Sequence, residues 1–220
     1  MPDAQPLLRP GELVIKDING YRRDANKQPI VDENGRFVLT GEPDGLIDDA
    51  DNVLLGSQDP SWLAGITNTF KYKDFDLNIQ LNGMFGRRMQ DPTEMAYGLG
   101  GGDLARYGYN ALSKIKDRWT WDNTSTTQPT SFNGWGNNYT SGDWYYQRAW
   151  FIRLTNISFG WTLPKAWIAR TKVLSRVRLS LSANNLFCIT PYKGLDPETD
   201  YYAASYPNAR TYSMGINVTF

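Results

Sequence analysis

Oxygen donors in the order that a calcium ion requires are spread over two short stretches near the start of the chain. Asp17-Ile18-Asn19-Gly20 supplies the opening of such a loop, and Asp44-Gly45-Leu46-Ile47-Asp48-Asp49-Ala50-Asp51 supplies the remainder. Calcium takes about six to eight hard oxygens, drawn in a loop of about twelve residues from positions 1, 3, 5, 7, 9 and 12, with glycine at 6 for the sharp turn. Joined across residues 21–43, Asp17, Asn19, Asp44, the Leu46 carbonyl, Asp48 and Asp51 fall on those positions, and Gly45 falls on the turn. The ion this pattern implies is Ca2+, pinning a surface excursion rather than catalysing. Two features count against it: the inserted residues, and an aspartate at the last position, which reaches less far than glutamate. Plain turn chemistry accounts for the same Asp and Gly residues without a metal.

A second group suits sugars or peptides. Trp135, Asn137, Asn138, Tyr139, Asp143, Trp144 and Tyr145 combine flat aromatic faces, which stack on apolar ligand surfaces, with amides and a carboxylate that bond hydroxyls. From these, Trp135, Asn138, Tyr139, Asp143, Trp144 and Tyr145 form the candidate ligand set. The same rings also serve to pack a loop on itself or to sit at a membrane interface.

Other chemistries are closed off. The chain has no histidine, so it lacks the usual general base near neutral pH and the commonest transition-metal ligand. Its one cysteine, Cys188, forms no intrachain disulfide and sits between Phe187 and Ile189 as a packing residue. Lys+Arg and Asp+Glu are equal at 23 each, so there is no net field to attract nucleic acid or an anionic membrane surface. The run Gly100-Gly101-Gly102 lacks the Lys-Ser/Thr continuation of a phosphate loop. No acid/base pair of an enzyme is recognisable.

The elements that position these groups are strands. Eight Trp, 13 Tyr and 9 Phe coexist with a mean hydropathy of -0.52, a combination expected where strands alternate apolar and polar residues between aromatic girdles. Trp62, Ala64, Ile66, Phe70 and Tyr72 share one parity, and after a tight turn at Lys73-Asp74 so do Phe75, Leu77, Ile79, Leu81 and Phe85. Alternation returns at Trp150, Ile152 and Leu154, then slips phase before Ile157, Phe159 and Trp161, which predicts a β-bulge near Thr155 and Asn156. Val177, Leu179, Leu181 and Ala183 make a fourth strand; Tyr212, Met214, Ile216, Val218 and Phe220 make the fifth. Arg153, Arg178 and Arg210 lie on polar phases. Strands of about ten residues match the roughly 9–11 needed to cross hydrocarbon at a tilt. The expected organisation is an irregular segment over residues 1–60 carrying the split acidic loop. Residues 61–220 then hold about five long strands and a long aromatic loop, 86–147, with one helical stretch near Leu112 to Trp119.

Four ordered passages carry a family resemblance. Residues 186–198, LFCITPYKGLDPE, resemble the NLxxxTxYxGxDPE passage of SusC/RagA-type TonB-dependent transporters. Residues 151–164, FIRLTNISFGWTLP, resemble their YLRLKNIxLGYTLP strand, and residues 206–220 are similar to their YPxxRTYxxGxNxxF ending. Leu55, Gly56, Pro60, Phe75 and Leu77 match a fourth, LGxxxP…FxL. The split acidic loop is similar to that family's DxNGDGxIDxxD.

The resemblance implies an all-β fold, the C-terminal strands of a transmembrane antiparallel β-barrel with long extracellular loops, in the cell outer membrane. It also implies import of glycans or oligopeptides together with a SusD-like lipoprotein. Energy would come from a TonB complex that engages an N-terminal part lying outside this sequence, leaving no bond chemistry to these residues. Outer-membrane lipid is then a partner, and the barrel-assembly machinery would read a terminal signal made by Tyr212 and Phe220, which serve equally as girdle aromatics. The alternative from another class is a soluble carbohydrate-binding β-sandwich with a calcium-stabilised loop. The two differ in whether the apolar side of the strands is covered by protein.

Overall fold

The computed structural model describes residues 10–98, 108, 110–130, 143–199 and 205–220. Strands follow the alternation closely. β1 (Trp62–Tyr72) and β2 (Phe75–Phe85) form a hairpin closed at Lys73, whose φ of 52° turns the chain in two residues. After the short strand β3 (Arg88–Gln90) comes helix α1 (Pro92–Tyr97); then β4 (Tyr146–Arg148), β5 (Phe151–Thr162), the single-turn helix α2 (Lys165–Ile168), β6 (Arg176–Asn184), β7 (Cys188–Ile189) and β8 (Thr211–Thr219). The sheet runs β1-β2-β5-β6-β8, antiparallel throughout, with β7 added beside β5; β3 and β4 pair separately. No helix among the described residues is long and apolar enough to cross a membrane.

Register gives the sheet two chemically distinct faces. Phe70, Leu77, Phe159, Leu181 and Met214 stand in one row across five strands, and Tyr72, Phe75, Trp161, Leu179 and Ile216 in the next. On the opposite face Thr69, Asn78, Ser158, Ser182 and Ser213 form a row, and so do Thr67, Gln80, Asn156, Asn184 and Thr211. Side chains alternate strictly with strand period, so a single register suffices to sort them. The expected bulge is present: Gln80 pairs with Asn156 and Leu81 with Leu154, which leaves Thr155 as the extra residue. Without that extra residue the apolar run 157–161 would face the wrong side.

The apolar face is exposed. Met214 is 78% accessible, and Phe70, Leu181 and Ile216 are more than half exposed. Apolar area left in water costs about 25 cal/mol per Å2, so this face needs a medium other than water. A closed β-sandwich would have covered it. Burial is instead concentrated at one end of β5, where Phe151, Arg153 and Leu154 are buried, and in a small core of Met89, Ala149 and Tyr192.

The chain divides into two compact units. One contains residues 56–93 and 146–220, and hence the sheet; the other joins residues 1–55 with 94–145. The expected grouping of the whole loop 86–147 with the strands therefore changes. Within the second unit Thr130 N–H donates to the Gly11 carbonyl at 2.8 Å, and Gly11 (φ 85°) lies so close to the Trp119 ring that a Cβ there would be 2.6 Å from it. The helical stretch expected near 112–119 is a 3-10 turn, Ser113–Asp117. The ends of the loop, 88–90 and 146–148, are β3 and β4.

Candidate functional site

The two halves of the acidic loop meet. Residues 21–43 leave from Gly20 and return to Asp44 through a closed ribbon of three short extended pieces. Arg22 N–H donates to the Val38 carbonyl at 2.8 Å, Val38 N–H to Ile30 at 2.9 Å, and Ile30 N–H to Arg22 at 2.8 Å. Each piece thus donates to the next around a ring. Two equivalent turns make the corners: Asp24 Oδ1 accepts from the N–H groups of Asn26 and Gln28, and Asp32 Oδ1 from those of Asn34 and Arg36. Lys27 (φ 64°) and Gly35 (φ 73°) take the left-handed position in these corners, where glycine is the unstrained choice. The ring returns the chain to its origin, and a Cβ added at Gly20 would lie 2.6 Å from the Asp44 side chain.

Across that junction the donors are oriented by backbone N–H groups. Asp17 accepts from Asp44 N–H at 3.2 Å and Gly45 N–H at 2.6 Å; Asn19 Oδ1 accepts from Gly20 and Gly41; Asp44 Oδ1 accepts from Leu46. Asp48 caps the 3-10 turn Asp49–Asp51 by accepting from Ala50 N–H, and Asp51 reciprocates by accepting from Asp48 N–H, a complete capping box. Asp51 also accepts from Ile18 and Asn19, tying both halves together. Burial opposes ionisation of Asp51, but the N–H groups of Ile18, Asp48 and Asn19 outweigh it and hold the carboxyl below its ordinary range. The donor chemistry and the adjacency of the halves fit a calcium loop. Its oxygens, however, are turned to N–H groups, and among the described residues no three acidic, His or Cys side chains converge on one point.

Of the aromatic set, Trp135, Asn138 and Tyr139 lie outside the described residues. Asp143, Trp144 and Tyr145 form one 3-10 turn; Asp143 is exposed, Trp144 half-buried and Tyr145 1% exposed. A ring so deeply buried packs the protein and offers no face to a ligand. Tyr212 and Phe220 are both exposed at the β8 edge, 71% and 81%.

The passage 186–198 does something that spacing alone did not reveal. After β7 it folds back toward β5, and Arg153 near the start of β5 bonds to it. Arg153 Nη2 lies 2.6 Å from Asp196 Oδ1 with both side chains buried, and its Nε lies 3.2 Å from Glu198 Oε2. Asp196 also accepts from the N–H groups of Glu198 and Asn208, and Asn208 Nδ2 donates to Glu198. Arg87, also buried, donates to the Pro197 carbonyl at 3.2 Å. Thr190 Oγ1 donates to the Trp150 carbonyl, and Lys193 N–H donates to Gln147 Oε1. A buried charged pair is costly unless its remaining hydrogen-bonding positions are filled; the Asp196 side is filled, whereas Arg153 Nε is buried without a hydrogen bond and has only its ion-pair contact with Glu198. Sequence placed Arg153 on a polar phase and put Asp196-Pro197-Glu198 in a loop; the signal missed was an arginine and an acidic pair in two passages of one family pattern.

A second ion pair spans the polar face. Arg178 on β6 reaches across β5 to Asp76 on β2, bonding bidentately at 2.6 and 2.8 Å. Gly160 lies between them, and a Cβ there would strike the guanidinium and come within 2.7 Å of Asp76 Oδ1. Glycine on the middle strand opens the slot through which the outer two strands are stapled.

No family model matches the chain. Over 97% of its length it is 29% identical to TonB-dependent receptor P3 of Formosa agariphila, a match spanning 23% of that protein. Over 88% it is 26% identical to TonB-dependent receptor SusC of Bacteroides thetaiotaomicron, spanning 19%. Among solved structures it superposes on a chain of the RagAB peptide transporter with a TM-score of 0.61 and 27% identity, covering 86% of this chain and 20% of that one. For the closed-closed state of the RagAB peptide importer the TM-score is 0.62 at 25% identity, covering 92% and 22%. The chain spans about a fifth of the length of the relatives it matches.

Proposed function

The chain is a relative of the SusC/RagA-type TonB-dependent transporters, and on that footing we propose that it builds part of the wall of an outer-membrane importer of glycans or oligopeptides. One observation carries this: rows of apolar side chains, exposed or half-buried, cross all five long strands on one face, while polar rows cross all five on the other. In a barrel wall the first face meets lipid and the second meets a wet lumen. Edge strands β1 and β8 then pair with further strands of the same barrel, since unpaired backbone groups are not sustained in hydrocarbon. Uptake is energised through TonB by the rest of the transporter, with a SusD-like lipoprotein as partner, and no bond in the cargo is broken. Consistent with this, the curated relatives are receptors and the solved ones a peptide importer.

Within this reading the acidic loop binds Ca2+ once Asp17, Asn19, Asp44, Asp48 and Asp51 turn from backbone N–H groups to the ion, joined by the Leu46 carbonyl. Metal and folding are coupled in such a loop. Calcium is expected to protect the peptide bonds of residues 17–51 from protease, and a chelator to reverse this; equal cleavage with and without the ion argues against a site. Asp143 and Trp144 remain the described members of the ligand set, and Tyr212 with Phe220 the assembly signal.

The decisive experiment removes the gene segment encoding this chain and measures growth on oligomers whose monomers still support growth. Loss of growth on one class of glycan or peptide, with the tagged chain in the outer-membrane fraction alongside a SusD-like lipoprotein, is the expected result. Unimpaired growth on every class, or recovery of the chain without detergent, contradicts the proposal.

A further inference from the structure

The end of the sheet that carries the short turns is charged in an unbalanced way. Residues 163–175, which link β5 to β6, contain Lys165, Arg170 and Lys172 and no carboxylate, β6 opens on Arg176, and the β1-β2 turn adds Lys73 beside Asp74, five cations to one carboxylate. All five are exposed. They divide by face. Arg176 has the parity of Arg178 and Ser180, on the polar side, whereas two contacts bring Lys73 and the turn after β5 beside the apolar side.

Lys73 places its Nζ 5.4 Å from the centroid of the Tyr72 ring, and Tyr72 belongs to the apolar row of Phe75 and Trp161. Trp167 of α2 packs edge-on against Trp161, with ring centroids 6.0 Å apart, so the turn bearing Lys165, Arg170 and Lys172 folds against that same row. Phe75 stacks on Trp161 at 5.8 Å, which gives a continuous aromatic step beneath the cations. Amphipathic rings and snorkelling cations at such a step mark the level of lipid headgroups.

Below the step the face is not flat. Ala183, flanked by Ile157 and Tyr212, leaves a groove of about 430 Å3 whose walls include Leu77, Phe159, Leu181, Tyr212 and Met214. The groove begins one residue row beneath the aromatic step, roughly 7 Å along the strands. Cations, aromatic step and apolar groove therefore follow one another in the order of a phospholipid's phosphate, glycerol and acyl chain.

We propose that this end of the sheet is a binding site for an anionic phospholipid, with Lys73, Lys165, Arg170 and Lys172 holding the headgroup phosphates and the groove at Ala183 holding an acyl chain. The proposal rests on the barrel reading above. It exceeds generic lipid contact by requiring a preference for anionic headgroups, set by charge, and for retained lipid, set by the groove.

The test uses the complete transporter containing this chain, reconstituted into vesicles of phosphatidylcholine with or without phosphatidylglycerol, with lipid retained on extraction counted by native mass spectrometry. Wild type is expected to retain phosphatidylglycerol over phosphatidylcholine by at least about ten-fold at low salt, falling as ionic strength rises. Replacing Lys73, Lys165, Arg170 and Lys172 together by glutamine should remove the preference. Ala183→Phe should fill the groove and lower total retention while leaving the preference for charge. The polar-face variant Arg176→Gln should behave as wild type. Equal retention of the two lipids by wild type, or an undiminished preference in the four-cation variant, overturns the proposal and leaves the barrel reading intact. Failure to enter either kind of vesicle overturns both.

Discussion

β5 and β1 are strands of nearly equal length in one sheet, written in the same alternating script, yet their surroundings differ. β5 is paired on one side by β2 and on the other by β6 and β7, and at its start Phe151, Arg153 and Leu154 are buried. β1 is paired on one side only, and all eleven of its residues are exposed; β8 at the opposite edge is nearly the same. The contrast separates two sources of order. Arg153 on β5 is buried within a polar clamp, bonded to Asp196 in the segment after β7, whereas pairing on one side leaves β1 uncovered. The rest of the sheet is organised by register, and in the proposed barrel lipid would cover one face and neighbouring strands the edges.

The largest expected effect concerns those edges. Expressed alone, the chain should aggregate or require detergent, because two long edge strands and an exposed apolar face remain unsatisfied. Sedimentation in plain buffer checks this, and a monodisperse, cooperatively unfolding monomer would erase the distinction between β5 and β1. Next comes the clamp. Arg153→Ala leaves Asp196 buried without its partner, which should destabilise the assembled barrel by about 3–5 kcal/mol. Heat-modifiability on a gel reads this, and a variant as resistant as wild type would show that the clamp is ornamental.

A smaller effect is expected at the slot between the outer strands. Gly160→Ala forces Arg178 and Asp76 apart, and crowding of this kind costs about 1–3 kcal/mol. Gly160→Ala combined with Asp76→Asn should cost little more than Gly160→Ala alone, since the staple is already lost. Full additivity in that double-mutant cycle would place the strain elsewhere.

The smallest effect lies outside the sheet. Asp51 ionises more readily in the folded loop than in an unfolded chain, so its stabilising contribution is complete above the ordinary carboxylate range and fades as pH falls through its lowered pKa. Asp51→Asn should abolish that acid-side dependence and cost about 1 kcal/mol locally. Hydrogen exchange at Ile18, Asn19 and Asp48 measures it, and β5 should not respond.

How much of this was legible follows from which interactions are local. Long strands announced themselves because period two sorts residues between two media, and the slip of phase at Thr155 fell where an extra residue had to be absorbed. β3, β4 and β7 are too short to display a period and are set by contacts distant in sequence, such as Gln147 with Lys193. The acidic loop could be assembled on paper across residues 21–43, yet nothing local disclosed the ring of hydrogen bonds that closes the insertion. Tyr145 looked like a ligand-stacking ring because composition cannot tell a buried tyrosine from an exposed one. The clamp escaped for the same reason: Arg153 and Asp196 are ordinary residues until the fold removes them from water together.

The central claim is that alternate residues of these strands meet different media, and β6 tests it most directly. In a Cys188→Ser background, single cysteines are placed at positions 177 through 182 of the assembled transporter and challenged with a membrane-impermeant thiol reagent. Positions 178, 180 and 182 should label, and 177, 179 and 181 should stay protected until detergent strips the lipid. Labelling that ignores parity, or protection of all six positions in detergent as well as in lipid, would contradict the account.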